Sequence, residues 1–443
     1  MNVKQRRFFY LSLCLFFLLS APLLLFYASG RIFQFSERKF TKTGVCVVDS
    51  YPRNADIYIN GELTKKRTPA KISNLRPGEY NLEIKKTGYQ NWRKNLNIYA
   101  NYTTFAENIY LFKNKPKLTA LTPAVDLQES VMSPDGQFLA FLVTTEKNTN
   151  LYLKKLSDGS TNITTLPAKV EQLKWWGENL FAEKQSGGVP DYLFITPSSS
   201  TIKGLSEISS LKFTSLISGK NHTLWGLGEN NIYQINPSEN SINKFSPEKF
   251  DDLSFQNDLI FALQSSETAT NLKSINTNNQ EEKNVFSLPK GNYSFEKLND
   301  QSFLVKGKNF FYLCQAGAEN PCQEIDHKMT AAQLSPDKKK LLYFNEFELW
   351  IYELKTQENA LLVRSAETIS QAFWLINSDY ILINFNNNHL IAQETDQRST
   401  INYHELFLTN GQVAAIPPTI NGQLLFSLKN DQKQQNGLYS LKY

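Results

Sequence analysis

The sequence predicts an all-β protein, and three observations support that prediction. Aromatic residues make up 13% of the 443 residues, with 30 Phe and 20 Tyr, and such side chains favour strands. Within residues 42–113, apolar residues recur at every second position, which is the period of half-buried strands. Between residues 114 and 443, a short apolar strand pattern recurs at nearly constant spacing. We therefore expect a small β-sandwich followed by a larger repeat domain.

The repeat is a five-residue strand whose second and third residues are apolar. Its eight copies are FLAFL, NLFAE, TLWGL, DLIFA, SFLVK, KLLYF, YILIN and QLLFS, with second residues Leu139, Leu180, Leu224, Leu259, Phe303, Leu341, Ile381 and Leu424. Leu139 and Leu424 lie 285 residues apart over seven steps, which gives a period of about 41 residues. A period of this size with several short strands per unit is typical of a β-propeller.

We predict eight blades, with seven as the alternative if one weak copy is a loop insertion. The last unit supplies three strands, VAAIP, LLFSL and LYSLKY, before the chain ends. The segment Lys117–Leu121, KLTAL, is available to pair with this C-terminal blade and to cover an edge that would otherwise promote aggregation. The propeller is therefore predicted to span residues 114–443 and to be closed by residues 117–121.

Two of the repeats follow related turns, SPDG at 133–136 and SPDK at 335–338. Proline at the second position suits a type I turn, and so does glycine at the fourth. Together with the apolar residues that follow, these turns resemble the WD-like repeats of exported bacterial propellers. Asp135 and Asp337 are therefore interpreted as turn residues rather than catalytic acids.

Residues 8–29 are 22 consecutive residues without a charge, and three basic residues precede them. As a helix this segment would be about 33 Å long, enough to cross the core of a bilayer. The basic residues predict a cytoplasmic N-terminus. The predicted order is a cytoplasmic tail at 1–7, a single-pass transmembrane signal anchor at 8–29, a juxtamembrane linker at 30–41 and an ectodomain outside the cell membrane. The alternative is a cleaved signal peptide, with Ala28 and Gly30 at the cleavage site.

Residues 42–113 contain five alternating segments separated by turn signals. The segments PRNADIYING, TPAKISNL, RPGEYNLEI and KKTGYQNW follow one another in an order that resembles the PEGA domain of bacterial and archaeal envelope proteins. A short glycine-containing step of that family is replaced here by residues 63–67. The resemblance implies a surface-associated, sandwich-like module that contacts glycan or wall material. It carries over no catalytic residue.

Charge is unevenly distributed along the chain, although it sums to zero after residue 40. A neutral body lacks the long-range field that attracts nucleic acid, so nucleic acid is not an expected partner. Residues 42–113 hold 12 basic and 6 acidic residues, whereas residues 114–443 hold 29 and 35. The candidate contacts for an anionic membrane or wall are Lys65, Lys66 and Arg67, which we place in a loop. The alternatives are a solvated face, or docking of the module on its acidic neighbour.

Two of the four cysteines are predicted to form a disulfide. Cys314 and Cys322 flank a short loop between strands of an exported domain, where the setting is oxidising. Closing this loop would stabilise the fold by about 2.5 kcal/mol. Cys14 lies in the predicted membrane span, and Cys46 lies in an alternating strand, where we expect a buried thiol.

No motif in the sequence indicates catalysis or a metal site. Patterns of the type G-x-S-x-G, H-E-x-x-H and the P-loop are absent, and His222, His327, His389 and His404 are scattered without ligand spacing. We therefore expect a non-enzymatic binding or scaffolding role without a cofactor, in which propeller loops meet a protein, peptide or glycan partner. The alternative is a propeller enzyme or cofactor carrier whose site is assembled from residues distant in sequence.

Overall fold

The structure is a computed structural model, and the chain divides into two compact units. Unit 1 comprises Met1–Pro116 with Ala392–Leu406, and unit 2 comprises Lys117–Ile391 with Phe407–Tyr443. The structure describes residues 3–28, 31–34, 39–122, 125, 127–144, 148–184, 190–199, 201–220, 223–299, 301–308, 310–316, 321–325, 329–375, 378–420, 423–430 and 436–443. Gly30, His222 and His327, which were named above, lie outside these residues.

Unit 1 begins with a helix and a two-stranded hairpin. Helix α1 spans Val3–Ala28, and strands β1 (Arg31–Gln34) and β2 (Lys39–Lys42) pair antiparallel with Arg31 opposite Lys42. The large apolar side chains of α1 between Phe8 and Leu19 are exposed. Among the described residues, no helix combines the length and the mean hydropathy that identify a membrane span.

The rest of the N-terminal part of unit 1 is a two-sheet module. Its strands are β3 (Gly44–Tyr51), β4 (Asp56–Ile59), β5 (Glu62–Arg67), β6 (Ala70–Leu75), β7 (Gly78–Lys85), β8 (Trp92–Ile98) and β9 (Thr103–Tyr110). They form the sheets β5-β4-β7-β8 and β6-β3-β9, in which β3 and β9 are parallel. Val48 of one sheet and Ile57, Ile84 and Leu96 of the other belong to one buried cluster, so the two sheets share a core.

Residues 44–110, all of which the structure describes, form seven strands rather than the five that the alternation predicted. The two additional strands, β5 and β6, are edge strands of different sheets. All of their residues are exposed or half-buried. Strand β5 has no apolar alternation, and in β6 the alternation is limited to Ala70 and Ile72, which are only half-buried against the core. Lys65, Lys66 and Arg67 therefore lie in β5, and the prediction that they lie in a loop is wrong.

Unit 2 consists mainly of short antiparallel strands. The first strands are β10 (Lys117–Ala120), β11 (Leu127–Met132), β12 (Phe138–Thr144), β13 (Thr149–Lys155), β14 (Thr161–Leu166), β15 (Val170–Trp176), β16 (Asn179–Lys184), β17 (Asp191–Thr196) and β18 (Thr201–Gly204), followed by the short helix α2 (Leu205–Ile208) and by β19 (Phe213–Ser218), β20 (Leu224–Gly228), β21 (Asn231–Asn236), β22 (Ser241–Ser246), β23 (Asp252–Gln256), β24 (Leu259–Ser265), β25 (Ala269–Asn276) and β26 (Glu282–Pro289). The strands that follow are β27 (Ser294–Lys297), β28 (Ser302–Lys306), β29 (Phe311–Gln315), β30 (Cys322–Ile325), β31 (Ala331–Leu334), β32 (Lys340–Phe344), β33 (Glu348–Glu353), β34 (Asn359–Arg364), β35 (Ile369–Trp374), β36 (Tyr380–Phe385), β37 (His389–Glu394), β38 (Tyr403–Leu408), β39 (Gln412–Ile420), β40 (Gln423–Lys429) and β41 (Gly437–Lys442). The end of β37 and most of β38 belong to unit 1.

Within the described residues, β10 to β41 form eight four-stranded sheets. Seven of these contain four consecutive strands each, from β11-β12-β13-β14 to β35-β36-β37-β38, and the eighth has the order β10-β41-β40-β39. Each of the eight repeat copies is the second strand of its sheet. Leu139, Leu180, Leu224, Leu341 and Leu424 have no exposed surface, because these strands are covered by neighbouring sheets on both faces.

The first and last of the eight sheets are joined in two ways. Strand β10 pairs with β41, with Lys117 opposite Lys442, so the fourth strand of the last sheet comes from the beginning of unit 2. In addition, Leu139 and Phe141 of the first sheet pack with Leu425 and Leu438 of the last in one buried cluster. Within the part of the chain that the structure describes, the eight sheets therefore form a closed ring.

The two SPD turns have the same hydrogen bonds. Ser133 Oγ donates to Asp135 Oδ1 (2.5 Å) and accepts from the amide of Phe138 (2.9 Å), and the carboxylate also accepts from the amide of Gln137 (3.0 Å). Ser335 and Asp337 repeat the first contact at 2.6 Å. The hydrogen bond from Ser133 and that from the Gln137 amide lower the pKa of Asp135. Both carboxylates thus act as acceptors that hold the turn.

Ring closure predicts a large loss of stability for Leu438→Ala in β41. Leu438 is fully buried in the cluster that joins the first and last sheets, so truncation should lower the free energy of unfolding by about 2–5 kcal/mol. Urea unfolding of the full chain measures this loss. The matched control is Leu408→Ala in β38, which is 58% exposed and should change stability by less than about 0.5 kcal/mol. Equal and small losses for both variants would contradict a closed ring.

Candidate functional site

The two-sheet module of unit 1 has two opposite ends, which carry different side chains. At the Gly44 end lie the turns at 60–61, 76–77 and 99–102, because Gly44 is opposite Leu75 and the start of β7 is opposite Ile98. At the Tyr51 end lie the turns at 52–55, 68–69 and 86–91. Strand β3 runs from one end to the other, over about 23 Å at 3.3 Å per residue.

Exposed aromatic rings border a pocket of about 700 Å³ at the Gly44 end. Tyr99 is 61% exposed, Tyr102 is 70% exposed and Phe105 is 50% exposed. The turn that carries the tyrosines is fixed to the start of the module, because Asn101 donates its amide hydrogen to the carbonyl of Thr43 (2.9 Å). The pocket is also lined by Glu79, Asn95, Leu96, Asn97, Thr103, Thr104, Arg398 and Ser399. Aromatic rings beside amide and hydroxyl groups can bind a ligand that has both apolar and polar surface.

A buried ion cluster joins the segment Ala392–Leu406 to strand β8. Lys94 has a fully buried side chain and forms ion pairs with Glu394 and with Asp396 (Nζ to Oδ2, 3.1 Å). Its Nζ also donates to the main-chain carbonyl of Asp396 (2.6 Å). Glu394, which is also buried, accepts from Trp92 Nε1 (2.8 Å) and from Asn402 Nδ2 (2.9 Å). Because every charge has an opposite charge and several donors or acceptors, the cost of burying the ions is offset.

The same segment covers the free edge of β8. Asn402 accepts from the amide of Arg93 (3.2 Å) and donates to the carbonyl of Arg93 (3.0 Å), as a neighbouring strand would. Arg398 makes two parallel hydrogen bonds to Asp396, Nε to Oδ1 at 3.0 Å and Nη2 to Oδ2 at 2.8 Å. Burial alone would raise the pKa of Asp396, but the hydrogen bonds from Arg398 and the charge of Lys94 outweigh it and hold the pKa at about 2.

His404 is a neutral histidine in the interior of unit 1. Gln90 Nε2 donates to the carbonyl of Glu405 (3.0 Å), so Gln90 Oε1 is left to accept from His404 Nδ1 (3.1 Å). The proton of the neutral ring is therefore on Nδ1, and buried Nε2 has no hydrogen-bond partner among the described residues. The ring packs on Phe112 with 4.9 Å between centroids, and burial lowers the pKa of His404 to about 4.

Sequence reasoning missed this cluster because its parts are some 300 residues apart. A signal was nevertheless present in β8, where Trp92, Leu96 and Ile98 alternate on one face and Lys94 takes an inward position between them. A charge at such a position requires a partner, since lysine is almost never fully buried unless it is paired. The partner itself could not be identified from one sequence.

The sequence-predicted contacts Lys65, Lys66 and Arg67 are exposed, and they are not brought together with the aromatic pocket. Arg67 Nε pairs with Asp56 Oδ1 at 2.7 Å, and Lys66 Nζ donates to the main-chain carbonyl of Lys71. Because β5 runs away from the turn at 60–61, Lys66 and Arg67 lie toward the Tyr51 end. Lys65, Lys66 and Lys71 are exposed on the two edge strands β5 and β6, and we refer to the three lysines together as the basic surface.

Polar side chains of unit 2 bond one sheet to the next. Asp252 Oδ2 accepts from the amide of Phe295 (2.8 Å), Gln333 Oε1 from that of Trp374 (3.0 Å) and Gln371 Oε1 from that of Ala415 (2.8 Å). In each case the acceptor is on the first strand of one sheet and the donor is on the first strand of the following sheet. Burial raises the pKa of Asp252 despite its backbone hydrogen bonds. These contacts account for polar residues at positions that would otherwise be apolar.

Glu129 of β11 lines a second pocket, of about 510 Å³, within unit 2. Burial raises the pKa of Glu129, although the amide of Leu173 donates to its carboxyl group. An acid of raised pKa can take part in proton transfer. The described residues that line this pocket include no second carboxyl group, no histidine and no cysteine. The hydrogen bond from Leu173 of β15 makes Glu129 of β11 a further contact between sheets.

No group of three or more His, Cys, Asp or Glu residues able to hold a metal ion occurs in the part of the chain that the structure describes. His389 lies in β37 and His404 in β38, in different units. Cys314 and Cys322 are opposite each other in β29 and β30 and are joined by a disulfide. Cys46 is a free, buried thiol, and burial raises its pKa to about 11.

Comparison with known proteins identifies both folds. The PEGA domain family profile matches residues 43–111, which confirms the resemblance seen in the sequence. The C-terminal WD40 domain of Sif2 is similar in structure with a TM-score of 0.53 at 12% identity, covering 74% of this chain and 98% of that chain. The Dos1 propeller has a TM-score of 0.51 at 11% identity, covering 74% and 94%. At these identities the likeness shows the fold alone, which is a β-propeller.

Two further comparisons carry no functional argument. The dihydro-heme d1 dehydrogenase NirN reaches a TM-score of 0.49 at 12% identity, covering 64% of this chain and 67% of that chain. A comparison with the curated proteins gives no match.

The buried His404 predicts that unit 1 loses stability in acid. A histidine in an unfolded chain titrates near 6.5, whereas the folded His404 has a pKa of about 4, so the unfolded chain binds the proton more readily. Stability should be fully present above pH 6.5, fall as the pH drops toward 4 and level off below that. The total loss from this residue is about 3 kcal/mol.

The measurement is urea unfolding of the full chain between pH 4 and 7, followed by pulsed hydrogen exchange in peptides from β8 and β9. A His404→Gln variant has no titrating ring and should lack this component of the pH dependence. The control is His389→Gln in β37, which should leave the profile of β8 and β9 unchanged. Parallel profiles for the wild type and His404→Gln would show that burial of the neutral ring does not control this stability.

Proposed function

We propose that this protein is a membrane-anchored, non-enzymatic component of the cell envelope that binds or scaffolds an envelope partner. A β-propeller with a PEGA domain supports a binding or scaffold-type protein, since both folds present loops and edge strands to partners. In this proposal α1 anchors the chain, the ectodomain is extracytoplasmic, the basic surface contacts an anionic polymer, and the propeller loops meet a protein, peptide or glycan.

The observation that carries the anchor is the exposed apolar surface of α1. Residues 8–28 of this helix contain no charge, and they span about 31 Å at 1.5 Å per residue. Phe8 is 76% exposed, Leu11 is 70% exposed and Phe16 is 71% exposed. A contiguous apolar surface of this kind is unfavourable in water and is stable in lipid. Arg6 and Arg7, at the start of the helix, precede the uncharged segment and favour a cytoplasmic N-terminus.

The disulfide between Cys314 and Cys322 supports an extracytoplasmic location for the propeller. Disulfides persist in oxidising compartments and are rare where thiols are kept reduced. The cross-link joins two neighbouring strands of one sheet, so it adds to the pairing of β29 with β30.

The basic surface on β5 and β6 supports an anionic partner. Lys65, Lys66 and Lys71 are exposed, whereas the nearby Arg67 is neutralised by Asp56. Lys65 and Lys66 lie toward the Tyr51 end, and Lys71 is opposite Val47 in the middle of β3. The lysines are thus set back from Gly44, where the chain enters the module, and this placement favours a wall polymer over the bilayer in which α1 would be embedded. Each well-placed lysine contributes about 1 kcal/mol to binding at a strongly anionic surface.

Membrane anchoring predicts that the full chain stays in the membrane pellet after alkaline carbonate extraction. Protease added to intact spheroplasts should remove the ectodomain. In the double variant Leu15→Lys, Leu18→Lys, two charges enter the uncharged segment. Each charge costs about 3 kcal/mol in the bilayer, so this variant should be released from the membrane. A mature chain that lacks α1 and appears in the carbonate supernatant would favour a cleaved signal peptide instead.

The basic surface predicts weaker binding to poly(glycerol phosphate) for the variant Lys65→Gln, Lys66→Gln and Lys71→Gln. Affinity should fall by roughly tenfold or more in low salt, and its dependence on salt should become shallower. The measurement is co-sedimentation or calorimetry with the full chain in detergent. Lys290→Gln with Lys355→Gln removes exposed charges elsewhere, and Arg67→Gln removes a paired one; both should bind almost normally. Unchanged binding by the triple variant would make the surface a solvated face.

A further inference from the structure

The hairpin β1–β2 limits how far the entry point of the two-sheet module, at Gly44, can lie from α1. Arg31 comes three residues after Ala28, Arg31 is paired with Lys42, and Gly44 comes two residues after Lys42. At 3.8 Å per residue along the chain and about 5 Å across the pair, Gly44 lies within about 24 Å of the end of the helix. The hairpin thus returns the chain to the place where it left α1.

The end of the module that the chain enters from α1 is therefore the end with the exposed rings. The amide of Val45 donates to the carbonyl of Tyr102 (3.0 Å), and Asn101 bonds to Thr43, so the turn at 99–102 is fixed beside Gly44. Tyr99 and Tyr102 project from this turn, and Phe105 follows on the edge strand β9. Tyr51, which is 64% exposed, lies at the opposite end of β3.

We propose that Tyr99, Tyr102 and Phe105 form an interfacial contact with the lipid bilayer that holds α1. Tyrosine is enriched at the level of lipid headgroups, because its ring is apolar and its hydroxyl group remains hydrated. Lys42 and Arg76 at this end are balanced by Glu62 and Glu79, so the contact is made by rings and not by net charge. The pocket beside the rings then opens toward headgroups, whose polar atoms match its amide and hydroxyl groups.

This inference rests on the proposed membrane anchor, and the test separates the two. The full chain is produced in cells with the photoreactive residue p-benzoylphenylalanine at Tyr102, at Tyr99, at Tyr51 or at Phe16, one position at a time. After irradiation of intact membranes, adducts are identified by mass spectrometry as phospholipid, glycan or peptide. The photoreactive ring replaces a ring at each position, so the variants are matched.

We expect phospholipid adducts at Phe16, Tyr99 and Tyr102, and none at Tyr51. Lipid adducts at Phe16 without any at Tyr99 and Tyr102 would overturn the interfacial contact and leave the anchor intact. Glycan or peptide adducts at Tyr99 and Tyr102 in place of lipid would overturn it as well, and would assign the pocket to such a ligand. No lipid adduct at Phe16 would refute the anchor and, with it, the inference.

Discussion

The propeller depends on one constraint, which is that a four-stranded sheet with two apolar faces needs a neighbour on each side. Seven of the eight junctions join sheets that follow one another along the chain, and their strands are close in sequence. The eighth junction is different, because it must bring residues near 117–143 against residues near 416–442. Without it, two faces built from residues such as Phe141 and Leu425 would be open to water. Because β10 pairs with β41 in the last sheet, main-chain hydrogen bonds stabilise this junction in addition to side-chain packing.

The repeat could be predicted from the sequence because it reflects this burial directly. Strands such as FLAFL and KLLYF are covered on both faces, so they are apolar throughout and recognisable without an alignment. The strand order also followed from the pattern, because the last unit is short of one strand and KLTAL is available to supply it. By contrast, β5 and β6 were not predicted because neither has a fully buried face: β5 is almost wholly exposed, and the apolar residues of β6 are few and only half-buried.

The ion cluster of unit 1 could not be predicted, for a different physical reason. The charge of Lys94 is compensated by Glu394 and Asp396, which come from a segment that the repeat assigns to a propeller blade. Local patterns record which face of a strand is buried, but they do not record which distant residue covers it. Similarly, Asp252 and Gln371 occupy the first strands of their sheets because the side chain of each accepts a hydrogen bond from a backbone amide of the next sheet. These hydrogen-bond partners can be identified only from the three-dimensional arrangement of the sheets.

Both units share a feature that affects the timing of folding during synthesis. Unit 1 is complete only when Ala392–Leu406 joins residues 1–116, and unit 2 is complete only when β41 pairs with β10. About 300 residues separate the two parts in each case, so at 5–20 residues per second the first part waits roughly 15–60 s for the second. During this interval Lys94 has no counter-ion from the segment and Leu139 has no cover from the last sheet. Such a chain has to be protected from misassociation until Ala392–Leu406 and β41 have been synthesised.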